Sequence, residues 1–431
     1  MNSPRLRIAL VLAVGLVALT TALLLMGLLD NQQSAQAADS PRYALTSGDV
    51  FCVTLDGGGP YASCTSVFTN VQAAIDAAMG GETIKVATGV YTSVNTNINK
   101  TVTIRGGYTM TNWTMPYPIT QPTTLDAQGQ GRVLFIGIAG GGPWITPTLE
   151  GLRITGGSIP GMLEYGGGVY IQSAEATFNN CQIFSNTAWS GGGLGGQYSS
   201  VTFNNSTIVS NSAQFGGGVL LDNNSDATLN ENIVSFNKAT NSGGGIVLNG
   251  AYATLRNTVI ADNQADRKGG GLNIADSTVR LLHTTLARNK IINDVNGSGV
   301  LVERYSARTR VWMTNTIVVS HTIGISVTAG ATATLESTLW GSGAWPNGVD
   351  WGGGGNLVTG THNFWGDPAF AADGYHLTAG SAALNRGVDT GVSTDIDGNT
   401  RPDGCFSDLG ADEFITGVIC KRIYLPIVMR Q

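Results

Sequence analysis

Asparagine recurs at a nearly fixed interval through the middle of this chain: Asn186, Asn211, Asn237, Asn263 and Asn289 are spaced 25, 26, 26 and 26 residues apart. A run of three glycines follows each of the first four, and Gly297-Ser298-Gly299 follows the last. A unit of this length with β-type sequence cannot bury a core alone and gains one by stacking on its neighbours. The repeat therefore dictates a solenoid.

Aligning on the glycines sets Gly166-Gly167-Gly168-Val169, Gly191-Gly192-Gly193-Leu194, Gly216-Gly217-Gly218-Val219, Gly243-Gly244-Gly245-Ile246 and Gly269-Gly270-Gly271-Leu272 in register. After each comes a short alternating run, then a turn, then a second run ending in Phe178-Asn179-Asn180, Phe203-Asn204-Asn205 or Leu255-Arg256-Asn257. A third apolar position, Ile183, Ile208, Val234, Ile260 or Leu286, precedes the spaced asparagine by three. Three short β runs per repeat, without any helix-period segment, describe an all-β fold: a right-handed parallel β-helix. Coils stack at about 4.8 Å, and roughly 12 of them fit the chain. The spaced asparagines then form a corner ladder of side-chain amides. A short capping helix is expected near Asn70, with Val71, Ala74, Ile75 and Ala78 on one face and Gly80-Gly81 as its stop.

Only 12% of the 431 residues are charged and 60 are glycine, against about 25% charged and about 7% glycine in ordinary globular proteins. With 42% hydrophobic residues the chain is not disordered, and its excess glycine serves turns. The net charge of −6, without a basic stripe, argues against nucleic acid as a partner. Arg5 and Arg7 precede the uncharged run Ile8–Leu29, and Ala35-Gln36-Ala37 offers a small-x-small cleavage site. Residues 1–37 therefore read as an export signal or as an uncleaved anchor, the one contact with a membrane to be expected. Either reading makes the folded part secreted or displayed at the cell surface.

The remaining organisation is a lead over 38–68, a β-helix over 69–385, a capping segment over 386–414 and a tail over 415–431. The tail holds the apolar stretch Ile423–Val428, which reads as a docked strand or a sorting signal. In an exported protein Cys52 and Cys64, and Cys405 and Cys420, read as two local disulfides. Cys181 occupies a repeat position held elsewhere by Ser206, Asn232 and Thr258, and reads as a buried free thiol.

Val71-Gln72-Ala73-Ala74-Ile75-Asp76-Ala77-Ala78, with Ile84-Lys85-Val86-Ala87-Thr88-Gly89-Val90-Tyr91, resembles the entry to pectin-lyase-like β-helices. The Asn-x-Ala units followed by glycine triplets are similar to the repeats of polymorphic membrane proteins. Asp395-Ile396-Asp397-Gly398 with Arg401-Pro402, and Asp408-Leu409-Gly410-Ala411, resemble the closing segment of choice-of-anchor Q surface proteins. Polymorphic membrane proteins end in a membrane barrel, whereas 17 residues follow Phe414, so an autotransporter is not expected. The resemblance implies the fold. It also raises polysaccharide cleavage, since many β-helices of this class act on acidic polysaccharides.

Hydrolysis needs two carboxylates roughly 5–10 Å apart. The column after the glycine-led strand reads Gln172, Gln197, Asp222, Asn249, Ala275, Glu303, and its two acids stand three coils apart, roughly 14 Å by the stacking distance. No catalytic residue is assigned; Asp222, Glu231 and Glu303 are the weak alternative. Asp262 and Arg288 read as a surface ion pair, and His283 and His321 as substitutes within asparagine columns. Trp340, Trp345 and Trp351 interrupt the repeat among glycines and read either as a glycan contact or as packing on the rod. Asp389, Asp395, Asp397 and Asp403 crowd one segment and offer either oxygen ligands for Ca²⁺, the one cofactor considered, or a polar turn. Two functions follow: an exported, non-catalytic adhesin or glycan binder whose partner is an extracellular polysaccharide or envelope component, or a lyase or hydrolase of uronate-rich polymers.

Overall fold

Each repeat closes into one coil of a parallel β-helix in the computed structural model, which describes residues 48–59, 61–293, 297–415 and 417. A representative coil runs through Val219–Asp222, Asp226–Asn230, Ile233–Ser235 and Lys238–Ser242, four strands where the sequence predicts three. The fourth forms because the residues after the ladder asparagine also pair with the next coil. First strands stack into a ten-stranded sheet, second and third strands into one bent 22-stranded sheet, and fourth strands into a six-stranded sheet. Ten stacked strands make nine steps rather than the expected 12 coils, because the first coils are long: their first strands begin at Thr96, Leu134 and Val169, 38 and 35 residues apart. At the other end it begins before Thr69: Val50–Val53 pairs in parallel with Thr83–Ala87. The helix Val71–Ala77 covers this end, its N-cap Asn70 accepting from Ala73 N at 2.8 Å and its Val71, Ala74 and Ile75 buried.

Local chemistry explains the corners. Between the second and third strands the chain turns through a left-handed residue: Asn180, Asn205, Glu231, Asn257, His283 and Asn315 all have φ between 46° and 59°. Asparagine tolerates that conformation better than other side-chain-bearing residues. At the glycine corner two requirements coincide. Gly191 has φ +64°, and a Cβ on Gly192 would come within 2.4 Å of Ser212 O. Only a chain without side chains turns and packs there at once.

The interior is filled by columns of like residues, such as Val169, Leu194, Val219, Ile246, Leu272, Val300 and Ile325. Phe178 and Phe203 stack with centroids 4.8 Å apart. Cys52 and Cys64 form the disulfide expected of the lead, and Cys181 is free and buried, its thiol pushed up to about 12 by burial. Cys405 is disulfide-bonded; Cys420, residues 1–37 and Ile423–Val428 lie outside the described residues.

Residues 367–415 do not cap the end of the solenoid. They return along its flank as an irregular clasp: Asn257 Nδ2 donates to Thr394 O, Asn315 Nδ2 to Val388 O, and Ala411 N to Thr285 Oγ1. Leu377, Ala383, Leu409 and Ala411 pack there on Ile317, Val319 and Leu339.

Candidate functional site

The outer face of the ten-stranded sheet carries the groove with the richest chemistry. Its floor is the outward column Gly195, Leu220, Val247 and Asn273. One rim is the residue immediately before each glycine triplet, Tyr165, Ser190, Phe215, Ser242 and Lys268, with Trp189 beside Ser190. The opposite rim is the column Gln197, Asp222, Asn249, Ala275 and Glu303. Between the rims lies a cavity of about 330 Å³, walled by Tyr165, Trp189, Phe215 and Tyr305 together with Asp222 and Asn249. That volume is at the lower end of the range for small-molecule sites.

Both ends are crossed by side chains. At one end Tyr165 reaches over Gly195 and donates its hydroxyl to Asp222 Oδ2 at 2.9 Å. A Cβ on Gly195 would stand 3.0 Å from Tyr165 Cβ, so the glycine provides the ring's room. Tyr165 stacks on Tyr170 at 5.7 Å, and Arg132 lies over Tyr170 at 4.9 Å. At the other end Lys268 Nζ meets Glu303 Oε2 at 2.7 Å, and Tyr305 Oη donates to Glu303 Oε1 at 2.8 Å.

The two carboxylates differ in surroundings. Asp222 is held by neutral partners, Tyr165 and Asn223, and burial raises its pKa against those hydrogen bonds. Burial, reinforced by Asp222, also raises that of Tyr165. Glu303 is paired with a cation. Across the Asp222–Asn249 rim a second, polar hollow of about 500 Å³ displays the exposed Tyr198 and Tyr252 beside Asn223 and Asn224.

Glu231 does not share this face. It occupies the left-handed bend of the 22-stranded sheet and accepts from Thr394 Oγ1 of the clasp, because its column is the one held elsewhere by Asn205 and Asn257. Trp340 is fully buried and makes no glycan contact. Trp351 follows Ile325 in an interior column, 5.4 Å from Trp340 and 6.4 Å from Trp365. Trp340 fills the last coil, whereas Trp351 and Trp365, on the last strands, remain 39% and 56% exposed. Trp345 packs edge-on against Phe370 and lies under Arg288.

The four aspartates proposed for Ca²⁺ do not converge. Asp395 is buried and accepts from the N–H groups of Asp397, Asn399 and Glu413, while Asp389 closes a turn onto Gly391 and Asp403 accepts from Gly417 N. Among the described residues the donors that do approach one another are His376, Asp397 and Asp412, and His376 is bridged between Asp373 and Asp397. A larger cavity, about 670 Å³, lies between the clasp and the last coil. Of its ionisable walls, Arg401 is committed to Glu413 and His362 to Glu336, while Arg386 lies over the Phe364 ring and Asp389 accepts from Gly391 N.

The asparagine ladder is continuous. Asn186, Asn211, Asn237 and Asn263 each donate Nδ2 to the next member's Oδ1 at 3.0 Å. Asn289 Nδ2 contacts His321 Nε2 at 3.2 Å, and His321 N donates to Asn347 Oδ1 at 3.0 Å. Asn347 is thus a seventh position. Asp262 and Arg288 form their ion pair at 2.6 Å.

Tyr165, Trp189, Phe215, Tyr305 and Lys268 were not singled out by the repeat alignment. Their signal was present, since Tyr165, Phe215 and Lys268 each directly precede a glycine triplet.

A family model described as a right handed beta helix region matches residues 146–290, and with the parallel stacking it fixes the fold as a right-handed β-helix. Solved structures of similar course include pectate lyase Pel9A, at 13% identity over 86% of this chain and 97% of that one, with a TM-score of 0.45. The deglycosylated pectin methylesterase of Aspergillus niger matches at 12% identity over 74% and 88%, with a TM-score of 0.31. The A-module of mannuronan C-5 epimerase AlgE6 from Azotobacter vinelandii matches at 15% over 68% and 93%, with a TM-score of 0.28. Likeness at this level describes the course of the chain and no more. No curated protein matches.

Proposed function

We propose that this chain is an exported carbohydrate-binding β-helix, with a short stretch of polysaccharide seated in the groove of the ten-stranded sheet. One observation carries the reading: four aromatic side chains and a rim of amide and carboxylate groups converge on one cavity. Sugar rings offer apolar faces to aromatic rings and hydroxyls to amides and carboxylates, which is the pairing this cavity presents. The exposed Tyr198 and Tyr252 extend the same chemistry across the rim. The Cys52–Cys64 disulfide is compatible with an oxidising, extracytoplasmic setting.

Cleavage is the second reading, favoured by one feature: Asp222 is a carboxyl raised by burial, as a general acid would be. The other acid of its column is too distant to partner it. Glu303 stands three coils away, roughly 14 Å by the stacking distance, and is held by Lys268. Binding without cleavage is the form this geometry supports best.

Affinity electrophoresis in gels containing polysaccharides of differing charge tests the proposal. Retardation of the wild type in at least one gel, relieved in Trp189→Ala and Phe215→Ala, is the expected result. Unretarded migration throughout would overturn groove binding. Release of reducing or unsaturated ends on incubation would replace it with the enzymatic reading.

A further inference from the structure

The charge of the groove speaks to the kind of sugar it holds; this step rests on the carbohydrate-binding reading above. Asp222 is 8% exposed and opens into the cavity. Its neighbours come from four coils, and all are uncharged: Tyr165, Gln197, Asn223 on its own turn, and Asn249 on the next coil. Among the described residues no lysine or arginine pairs with it. Arg132, behind Tyr170, is committed to Glu164 and to the carbonyls of Tyr165 and Gly166. At the far end Lys268 neutralises Glu303 and donates to Tyr305, so it is not available to an incoming anion.

A uronate seated in the cavity would therefore bring its carboxylate toward Asp222 and Glu303 with no lysine or arginine in the cavity wall to receive it; Arg308 lines only the hollow across the rim. Like charges juxtaposed in a partly desolvated site oppose binding. An ammonium does the opposite. It supplies the missing counter-charge to Asp222, and the faces of Tyr165, Trp189 and Tyr305 attract it further.

We propose that the groove selects polysaccharide carrying free amino groups, a glucosamine-type amino sugar, with Asp222 as the counter-charge of its ammonium. The ligand is bound at the amine, not merely tolerated there: acetylating the nitrogen removes the charge and adds bulk where the carboxylate waits.

Titration calorimetry on the full chain tests this with four tetrasaccharides: β-1,4-linked glucosamine, its fully N-acetylated form, cellotetraose and tetragalacturonate. The glucosamine tetramer is expected to bind about tenfold or more tightly than the acetylated one, as loss of a charged hydrogen bond implies. Its affinity should fall as salt rises from about 20 to 200 mM, and Asp222→Asn should lower it about tenfold and narrow its margin over the acetylated tetramer. The salt series uses the wild type, so it decides even if the variant fails to fold. Equal binding of the acetylated or neutral tetramer, or tighter binding of tetragalacturonate, overturns amine selection and leaves groove binding standing. If none of the four binds, amine selection fails; unretarded migration in every affinity gel would then remove the groove reading as well.

Discussion

His321 shows how one side chain can be read twice. It stands in the asparagine ladder, contacting Asn289 Nδ2 through Nε2 and donating its backbone N–H to Asn347 Oδ1. Burial lowers its pKa from the usual 6.5 to about 4, so the folded protein holds it neutral. Because the folded value lies below the unfolded one, its contribution is intact above about pH 6.5 and is lost progressively as pH falls toward 4. In His321→Asn an amide at this position accepts from Asn289 Nδ2 as every other ladder member accepts from the one before it, and carries no proton to gain. Denaturant melts should find the two proteins separated by one constant at and above pH 7.5, and the variant gaining about 2 kcal/mol on wild type by pH 5. A separation that stays the same at both pH values would mean His321 is not held neutral. At this scale the sequence was most legible. A column is a statement about residues one period apart, so the ladder, the Cys181 site and the Asp262–Arg288 pair could be read from spacing alone. Tyr165 could not, because its hydroxyl meets Asp222 two coils on, across Gly195, and no fixed interval encodes that reach.

Elements without a period were the harder part. The clasp over 367–415 has no repeat to align, and its carboxylates looked from their crowding like a cation site. In the fold they hold the clasp's own backbone. Arg401 and Glu413 are fully buried, with Arg401 donating to Asp408 O, Gly410 O and Ala411 O, and Glu413 accepting from Asp403 N and Asp408 N. Desolvating such a pair costs nearly what the attraction returns, but removing one member strands the other. Arg401→Met should therefore cost about 3–5 kcal/mol of local stability, and Arg401→Met with Glu413→Leu markedly less. Limited proteolysis would show the clasp cut early in the single variant while the solenoid stays intact; equal resistance of single variant and wild type would remove the pair from this role. The tryptophans divide between their two readings. Trp340 fills an interior column of the last coil and Trp345 packs on Phe370, whereas Trp351, on the last strand of its sheet, stays 39% exposed.

The whole molecule is a sum of nearest-neighbour interfaces, but its candidate site is not. Stability in a solenoid depends on each coil and its two neighbours, so removing one whole unit should leave the remaining columns in register. Deleting residues 187–211 joins Asn186 to Ser212 and removes one ladder interval of 25 residues, upstream of the coils that the clasp grips. The new neighbours are like for like: Phe178 meets Leu229 where it met Phe203, Ile183 meets Val234 where it met Ile208, and Asn186 meets Asn237 where it met Asn211. The groove fares differently. The deletion takes out Trp189 from its wall and Gly195 from its floor, so Leu220 moves under the Tyr165 ring where only a glycine left room. The shortened protein should keep a β-rich circular dichroism spectrum and a cooperative melt, and should lose retardation in any polysaccharide gel that slows the wild type. Collapse of the fold would show that coils are not interchangeable here; retained retardation would place the glycan elsewhere on the rod. Periodicity therefore builds the rod coil by coil, whereas the groove depends on the positions where successive coils differ.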